Sequence, residues 1–238
     1  LAEINTTVYF PNENGKEKLK AMLAKIKQEN RDKAYDCVMG ISGGLDSSYL
    51  AYLGYIWGLR ILAVHIDDGF DTEISKKNIK RLCDKTGMEL RTITPDPEQF
   101  NALTLAYMRA GVPNLAIPQD NILFAFLYKT VVDEKLKYFV SGGNFALECI
   151  LQKDHVFNAM DTVNIRDIHK RFGSKPIDKL HFISSYEKYV NDKLGRAISL
   201  RPLNYIDYNR ERAFRELYDF CGFEYYGRKH LENILTAF

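Results

Sequence analysis

The residues best suited to chemistry form a short run of small and polar side chains between a strand pattern and a helical pattern. The run is Ser-Gly-Gly-Leu-Asp-Ser-Ser, residues 42–48. Glycine lets a ligand approach the backbone, and N–H groups at a helix N-terminus attract anions. Serine hydroxyls add hydrogen-bond donors. The run therefore predicts a loop that binds phosphate groups.

We expect most residues of this loop to contact a nucleotide. The predicted contacts are Ile41, Ser42, Gly43, Gly44, Asp46, Ser47 and Ser48. Because a carboxylate repels phosphate, Asp46 is interpreted as a ligand of Mg²⁺, which bridges carboxylates and phosphate oxygens. The loop lacks the lysine of P-loop NTPases, and its glycine spacing differs from that of dinucleotide-binding folds.

Strand and helix patterns alternate around this loop. After an amphipathic helix at 16–30, apolar runs at 35–41, 60–66, 88–94 and 138–140 alternate with helical stretches. This alternation predicts an α/β fold, with a parallel twisted sheet and helices on both faces. We expect the strands to be apolar throughout, as in a sheet covered on both faces.

The pattern changes near residue 152 and becomes mainly helical, with one late strand at 197–203. We interpret residues 1–150 as a nucleotide-binding domain, with helix 16–30 as an N-terminal extension. Residues 151–238 are interpreted as a mainly helical region that completes the substrate site.

Further candidates follow the other strands, because ligands of such sheets lie at the carboxyl ends of the strands. After the second strand, Asp67 is a candidate acceptor for a ribose hydroxyl, with a solvated turn as the alternative, and His65 is interpreted as a packed strand residue. Ser141 and Gly142 follow the fourth strand and are predicted nucleotide contacts. Asp120 is interpreted as the cap of the helix that follows it.

Two basic features lie further along the chain. Arg201 ends the late strand and either contacts an anionic ligand or forms a structural ion pair. Lys229 and His230 belong to a short basic cluster that either binds an anionic sugar nucleotide or is plain surface.

Composition narrows the function classes. A net charge of +2 gives no basic face of the kind that nucleic-acid-binding proteins show. No apolar run approaches the ~18 residues that span a bilayer, and the N-terminus lacks a signal-peptide pattern, so we expect a cytoplasmic protein. The four cysteines are not spaced as C-x-x-C, which disfavours a zinc or redox pair.

The run at 42–48 resembles the S-G-G-x-D-S loop of the N-type ATP pyrophosphatases, which share an adenine nucleotide alpha hydrolase-like fold. The resemblance implies that ATP is split between its α and β phosphates and that Mg²⁺ takes part. A substrate oxygen becomes an adenylate, which a nitrogen or sulfur nucleophile then displaces.

Residues 141–148 are similar to the G-T-x-N-x-x-E corner of NAD synthetase, with one extra residue before Glu148. The similarity implies that Glu148 is a second Mg²⁺ ligand, although a carboxylate at a helix start is the equal alternative. It also implies that Asn144 orients the substrate. The predicted catalytic residues are therefore Asp46, Asn144 and Glu148.

Segments 40–49, 63–70 and 140–146, with the late motif at 228–232, together resemble the N-acetyl sugar amidotransferases of bacterial surface-polysaccharide pathways, such as lipopolysaccharide O-antigen biosynthesis. The resemblance implies conversion of an acetamido group of a nucleotide-linked N-acetyl sugar to an acetamidino group. Its predicted sugar contacts are Asn144, Phe145, Arg201, Lys229 and His230. Family members commonly carry terminal cysteine pairs, which this sequence lacks.

The resemblance also implies partners. Ammonia would come from a glutaminase that works with a barrel subunit like those of imidazole glycerol phosphate synthase, and the aromatic C-terminal segment allows a homo-oligomer. Two alternatives stay open: a tRNA-modifying adenylating enzyme, which the near-neutral charge disfavours, and a non-catalytic nucleotide-binding subunit, which Asp46 disfavours.

Overall fold

The computed structural model describes residues 8–148, 158–227 and 231–237. Helix α1 (Glu13–Glu29) precedes an alternating series of strands and helices. These are β1 (Cys37–Gly40), α2 (Leu45–Ile56), β2 (Ile61–Ile66), α3 (Glu73–Thr86), β3 (Glu89–Ile93), α4 (Pro97–Ala110), α5 (Ile117–Asp133), β4 (Tyr138–Val140) and α6 (Phe145–Glu148).

The C-terminal part is mainly helical, as the sequence predicts. It consists of α7 (Thr162–Phe172), α8 (Ser185–Lys193), β5 (Ile198–Leu200), a 3₁₀ turn (Pro202–Tyr205), α9 (Arg210–Cys221) and α10 (Ile234–Ala237). Helix α7 begins at Thr162, where the Asp161 side chain accepts a hydrogen bond from Asn164 N and caps the first turn.

The five strands form one parallel sheet in the order β3-β2-β1-β4-β5. The chain moves from β1 to β2 and β3 on one side, then returns to place β4 and β5 on the other. The central strand β1 therefore pairs with both halves, and the connection reverses direction between β1 and β4. The predicted parallel α/β fold is confirmed.

Helices cover both faces of the sheet, and each face has its own apolar core. Met39 packs with Leu50 and Leu82 on one side, whereas Val38 packs with Ile122 on the other. Neighbouring residues of β1 point to opposite faces, as the two-residue period of a strand requires. This packing fixes the carboxyl end of β1 between two rigid layers.

The expectation that the strands are apolar throughout is wrong for β3. Glu89 is exposed and Arg91 is half-buried, with Arg91 Nη1 2.9 Å from Glu134 Oε1. Because β3 is an edge strand, its outer side faces water, and charged side chains there disfavour pairing with another chain.

Both parts of the chain build the sheet. Strand β5 pairs with β4, with Phe139 opposite Ser199, and the backbone N–H of Phe10 donates to Asn204 O at 2.7 Å. In the described residues, no helix combines the length and apolar character that crossing a membrane requires.

Asn121 of α5 is a buried link to the C-terminal part. Its Nδ2 donates to Ala159 O at 2.7 Å and to Ile183 O at 2.9 Å, and its Oδ1 accepts from Ile183 N at 3.0 Å. The replacement Asn121→Ala should lower the free energy of unfolding by roughly 3 kcal/mol, because it leaves these backbone groups unpaired. Urea unfolding would measure the loss. Asn101→Ala on the exposed face of α4 is the control, and equal midpoints for both variants would contradict this role.

Candidate functional site

Two glycine loops lie side by side at one edge of the sheet. Residues 42–44 follow β1 and residues 141–143 follow β4, and the strands are neighbours, with Met39 opposite Val140. The loops therefore flank the point where the strand connections reverse, which is where open α/β sheets bind ligands.

A cavity of about 290 Å³ opens between these loops, at the small end of the volumes usual for ligand sites. Its walls come from the end of β2, one face of α5 and residues near the C-terminus. The predicted nucleotide contacts that line it are Ile41, Ser42, Gly44, Asp46, Ser47, Ser141 and Gly142.

Hydrogen bonds between serines shape the first loop. Ser42 Oγ accepts from Gly44 N at 3.2 Å and lies 3.1 Å from Ser47 Oγ. Helix α2 begins directly after Gly44, which has no side chain to cap it. The first turn of α2 therefore has no N-cap side chain, an arrangement that leaves backbone N–H groups for a phosphate.

Close backbone contacts explain two of the glycines. Gly43 has φ of +73°, and a Cβ there would lie 2.4 Å from Ser75 O. A Cβ on Gly142 would lie 2.9 Å from Ser47 N. The second loop thus rests directly on the N-terminus of α2, and any larger residue would push the two loops apart.

Asp46 reaches the cavity and one of its carboxylate oxygens, Oδ1, accepts a hydrogen bond from Tyr208 Oη. Burial and the charge of Asp46 raise the pKa of Tyr208, so the phenol stays protonated. One carboxylate with a fixed orientation, together with nearby backbone donors, fits Mg²⁺ held between protein and phosphate oxygens. Among the described residues, no three acidic, histidine or cysteine side chains converge on a metal site.

Ser48, a predicted phosphate contact, is fully buried beneath the loop. It is not among the residues that line the cavity. Successive helix residues point about 100° apart, so the direction that brings Ser47 to the cavity turns Ser48 into the core. Gly43 likewise supports the loop without lining the cavity.

A buried ion pair lies behind the first loop. His65 Nδ1 is 2.9 Å from Ile41 O, and His65 Nε2 is 3.0 Å from Asp71 Oδ2. Burial lowers the pKa of His65, but the hydrogen bond and charge of Asp71 outweigh it, and the net pKa is raised. Both ring nitrogens face oxygen acceptors, which favours the protonated, positively charged form of His65 at the cavity wall.

The C-terminal segment is tied to this region by Asn233. Its Nδ2 donates to Asp68 Oδ1 at 3.0 Å and to Asp71 Oδ1 at 3.1 Å. Asp68 also accepts from Gln119 Nε2, and burial raises the pKa of Asp68. This amide–carboxylate network holds the C-terminal segment over the end of β2.

Other predicted contacts lie away from the cavity lining. Asp67 Oδ1 accepts from Gly69 N at 3.2 Å in a local turn, and Arg201 is exposed. Asn144 is buried, with Nδ2 donating to Gly142 O at 3.1 Å, so it supports the second loop. Phe145 N donates to Asn204 Oδ1 at 2.7 Å.

Three predicted residues cannot be placed as side chains. Lys229 and His230 lie outside the described residues, and Glu148 is described only as the last residue of α6. The second Mg²⁺ ligand and the basic sugar contacts therefore stay predictions. Of the cysteines that the structure describes, Cys37, Cys83 and Cys221 are free thiols, and burial raises the pKa of each.

The structure adds Asp120 to the site. The expectation that it caps a helix is wrong, because α5 begins at Ile117 and Ala116 occupies the cap position. Asp120 lies on the first turn and lines the cavity, where burial raises its pKa to about 6. An acidic residue shortly after a proline indicates a helix start, but nothing in the local sequence indicates that Asp120 lines a cavity.

Two further residues cover the first loop from the C-terminal side. Tyr226 Oη accepts from Leu45 N at 3.0 Å. Glu232 Oε1 lies 2.8 Å from the position that a Cβ of Gly44 would occupy. A phenol and a carboxylate thus sit where phosphate oxygens would approach the N-terminus of α2. The sequence did not predict either contact, because both residues lie more than 180 positions further along the chain than the loop that they meet.

Carboxylates outnumber cations on the described part of the cavity wall. The acidic residues are Asp46, Asp71, Asp120 and Glu232, and the basic ones are His65 and Arg210. These carboxylates would repel the phosphates of a polyanion such as ATP. ATP therefore needs an additional cation to bind here, because a positive charge must offset that repulsion.

The family model for NAD synthase matches residues 17–111. Together with the motif at 42–48, this match indicates the N-type ATP pyrophosphatase superfamily. The matched segment runs through β1, the first glycine loop, β2 and β3 to the residue after α4. No curated protein matches the chain.

Several solved structures are similar at low identity. The U34-tRNA thiolase of Methanococcus maripaludis is 18% identical with a TM-score of 0.43, covering 89% of this chain and 67% of that one. The NH₃-dependent NAD synthetase of Campylobacter jejuni is 16% identical with a TM-score of 0.42, covering 87% and 93%. Similarity this low carries no information on the substrate.

The contact between the loops generates a test at Gly142. Gly142→Ala places a methyl group against Ser47 N, so we expect affinity for Mg-ATP to fall at least about tenfold, or ~1.4 kcal/mol. Calorimetry would measure binding, and circular dichroism would check the fold. Gly40→Ala is the comparison, since its Cβ would meet only the ends of the flexible Leu127 and Leu123 side chains, at 3.4 and 3.5 Å. Equal affinity in both variants would show that the loops separate freely.

The position of Glu232 generates a second test. Removing its charge should strengthen binding of metal-free pyrophosphate about fivefold, since two unit charges 4 Å apart in water interact by about 1 kcal/mol. The comparison is Glu232→Gln against Glu17→Gln, an exposed residue on α1. Weaker binding by Glu232→Gln would contradict repulsion and assign this carboxylate a supporting role.

Proposed function

We propose that this protein is an ATP-dependent N-acetyl sugar amidotransferase that forms AMP and pyrophosphate. It converts a sugar acetamido group to an acetamidino group in bacterial surface-polysaccharide biosynthesis. One observation carries the proposal: the three segments that resemble this family, 40–49, 63–70 and 140–146, all reach the same edge of the sheet. Each contributes to the wall of the cavity.

The first loop would hold the pyrophosphate part of ATP. Its donors would be first-turn N–H groups of α2 and the hydroxyls of Ser42 and Ser47. These neutral groups can donate hydrogen bonds to phosphate oxygens without adding charge to the loop. Asp46 would hold Mg²⁺, which neutralises charge on the leaving pyrophosphate. Tyr208 keeps the Asp46 carboxylate in position through its hydrogen bond.

The chemistry has two steps. In the first, the acetamido oxygen forms a bond to the α-phosphorus and the bond to the β-phosphate oxygen breaks, which releases pyrophosphate. In the second, ammonia forms a bond to the imidoyl carbon, the carbon–oxygen bond to AMP breaks, and one proton leaves the nitrogen. The protein contributes mainly by placing these groups and stabilising their charges.

The face of α5 gives the cavity an apolar side. Leu123, Phe124 and Leu127 lie there, opposite the glycine loops. Aromatic and aliphatic side chains of this kind favour a flat base, whereas the polar loops favour phosphates. The sugar would lie beyond the second loop, which keeps Asn144 and Phe145 as its predicted contacts.

Ammonia is proposed to come from a separate glutaminase acting with a barrel subunit. No segment of this sequence resembles a glutaminase, and Cys37 and Cys83 are buried with raised thiol pKa values, the opposite of an activated nucleophile. Free ammonium should replace the partner in a purified system.

The test is release of pyrophosphate and AMP from Mg-ATP and ammonium, measured against a panel of N-acetyl sugar nucleotides and bulk tRNA. We expect release of both products with a sugar nucleotide, and a loss of at least about 100-fold in Asp46→Asn, because charge stabilisation of this kind contributes 10²–10³ in rate. Asp219→Asn, an exposed carboxamide substitution on α9, is the matched control.

Other outcomes favour the alternatives. Release with tRNA alone would support the tRNA-modifying enzyme. Tight binding of ATP without release on any substrate, with ammonium in excess, would support a non-catalytic nucleotide-binding subunit.

A further inference from the structure

Asp120 is an acidic group in the cavity that no described residue neutralises. Its carboxylate takes part in no ion pair and no side-chain hydrogen bond within residues 8–148, 158–227 and 231–237. Its backbone N–H donates to Ala116 O at 2.8 Å, as expected in a helix. The side chain therefore plays no visible part in holding α5 together.

The neighbouring amide side chains could have donated hydrogen bonds to the Asp120 carboxylate, but they donate to other acceptors. Gln119 donates to Asp68, and Asn121 donates to Ala159 O and Ile183 O. An ionised carboxylate that is largely removed from water without donors destabilises the folded protein. Burial accordingly raises its pKa to about 6. A residue that is unfavourable for stability and faces a ligand cavity is a candidate for a role in function.

The charge of Asp120 limits what it can face. It would repel the phosphates of ATP and the leaving pyrophosphate, so its partner in the bound state must be a cation or a donor. In the proposed reaction Asp46 would hold Mg²⁺, and the nucleotide and sugar offer amino and hydroxyl donors. The nitrogen that attacks the imidoyl carbon is the group that must also give up a proton. It attacks as ammonia, because ammonium has no lone pair, and becomes positively charged when its lone pair forms the new bond.

We propose that Asp120 binds the incoming ammonia and accepts the proton that the nitrogen loses after it attacks. This assignment rests on the proposed amidotransferase function. As the carbon–nitrogen bond forms, the carbon–oxygen bond breaks and its electron pair leaves with AMP. The proton from the nitrogen moves to a carboxylate oxygen of Asp120, which releases it to solvent after the product leaves.

Other charged and titratable groups line the same cavity and act on this proton transfer. They are Asp46, Asp71, Glu232, Tyr226, His65 and Arg210. His65 and Asp71 form an ion pair, and Asp46 accepts from Tyr208, so those carboxylates are already engaged. Asp120 is the described carboxylate on the wall formed by α5.

The experiment separates the two half-reactions in Asp120→Asn, with Asp219→Asn as control. Sugar-dependent exchange of labelled pyrophosphate into ATP reports adenylation alone, and ammonium-dependent AMP release reports the second step. We expect exchange within threefold of the wild type and the kcat for AMP release lowered about 100-fold or more, as for loss of a general base. The KM for ATP should stay within threefold.

The pH profile and the melting temperature add two independent readouts. Wild-type kcat for AMP release should fall as the pH drops through about 6, whereas Asp120→Asn should lack this inflection. The folded-state pKa lies above the unfolded value, so the charge destabilises the fold above pH 6 and not below pH 4. Asp120→Asn should therefore melt at a higher temperature than the wild type at pH 8, and the difference should vanish at low pH.

Three results would overturn the proposal. Undiminished AMP release in Asp120→Asn would show that the carboxylate does not accept the proton. If Asp120→Asn lost both pyrophosphate exchange and AMP release, the carboxylate would be assigned to nucleotide or sugar binding. Absence of sugar-dependent exchange in the wild type would remove the proposed function itself, and with it the nucleophile that Asp120 is proposed to bind.

Discussion

The backbone of Gly142 rests against the N-terminus of α2, and the cavity depends on that contact. A Cβ at this position would come within 2.9 Å of Ser47 N, so the two loops can meet only because no side chain separates them. The pairing of β1 with β4 in the centre of the sheet brings them to this distance. Two apolar cores, one on each face, then hold the strand ends in place.

The electrostatics of the cavity follow from how its acidic groups are used. Asp68 and Asp71 bind Asn233, which fixes the C-terminal segment, and Asp71 also pairs with His65. These carboxylates are therefore structural. One carboxylate oxygen of Asp46 accepts a hydrogen bond from Tyr208, which leaves the other oxygen for a ligand. Of the carboxylates on the described cavity wall, Asp120 alone makes no ion pair or side-chain hydrogen bond with a described residue, which separates it from the acidic groups that hold the fold together.

Local sequence was sufficient for the elements and for the first loop, because glycine spacing and hydrophobic periodicity act over a few residues. Thr72, for example, caps α3 and Gly87 ends it in the left-handed conformation. Contacts over long separations were not predictable: Tyr208 meets Asp46 across 162 residues, and Tyr226 meets Leu45 across 181. The burial of Ser48 and the position of Asp120 on the cavity wall were not predictable for a related reason, since the face that each presents depends on tertiary packing.

The similarity to NAD synthase covers the locally predictable part of the site and not the part built by long-range contacts. The match ends at residue 111, before α5, the second glycine loop and the C-terminal segment. The matched part contains the first glycine loop, whose backbone groups are predicted to bind phosphate and would recognise any nucleoside triphosphate in the same way. The unmatched part supplies Asp120, Arg210 and Glu232 to the cavity. Because side chains distinguish substrates where backbone groups cannot, we expect these residues to set the specificity together with Asp46, His65 and Asp71, which the matched part places on the same wall.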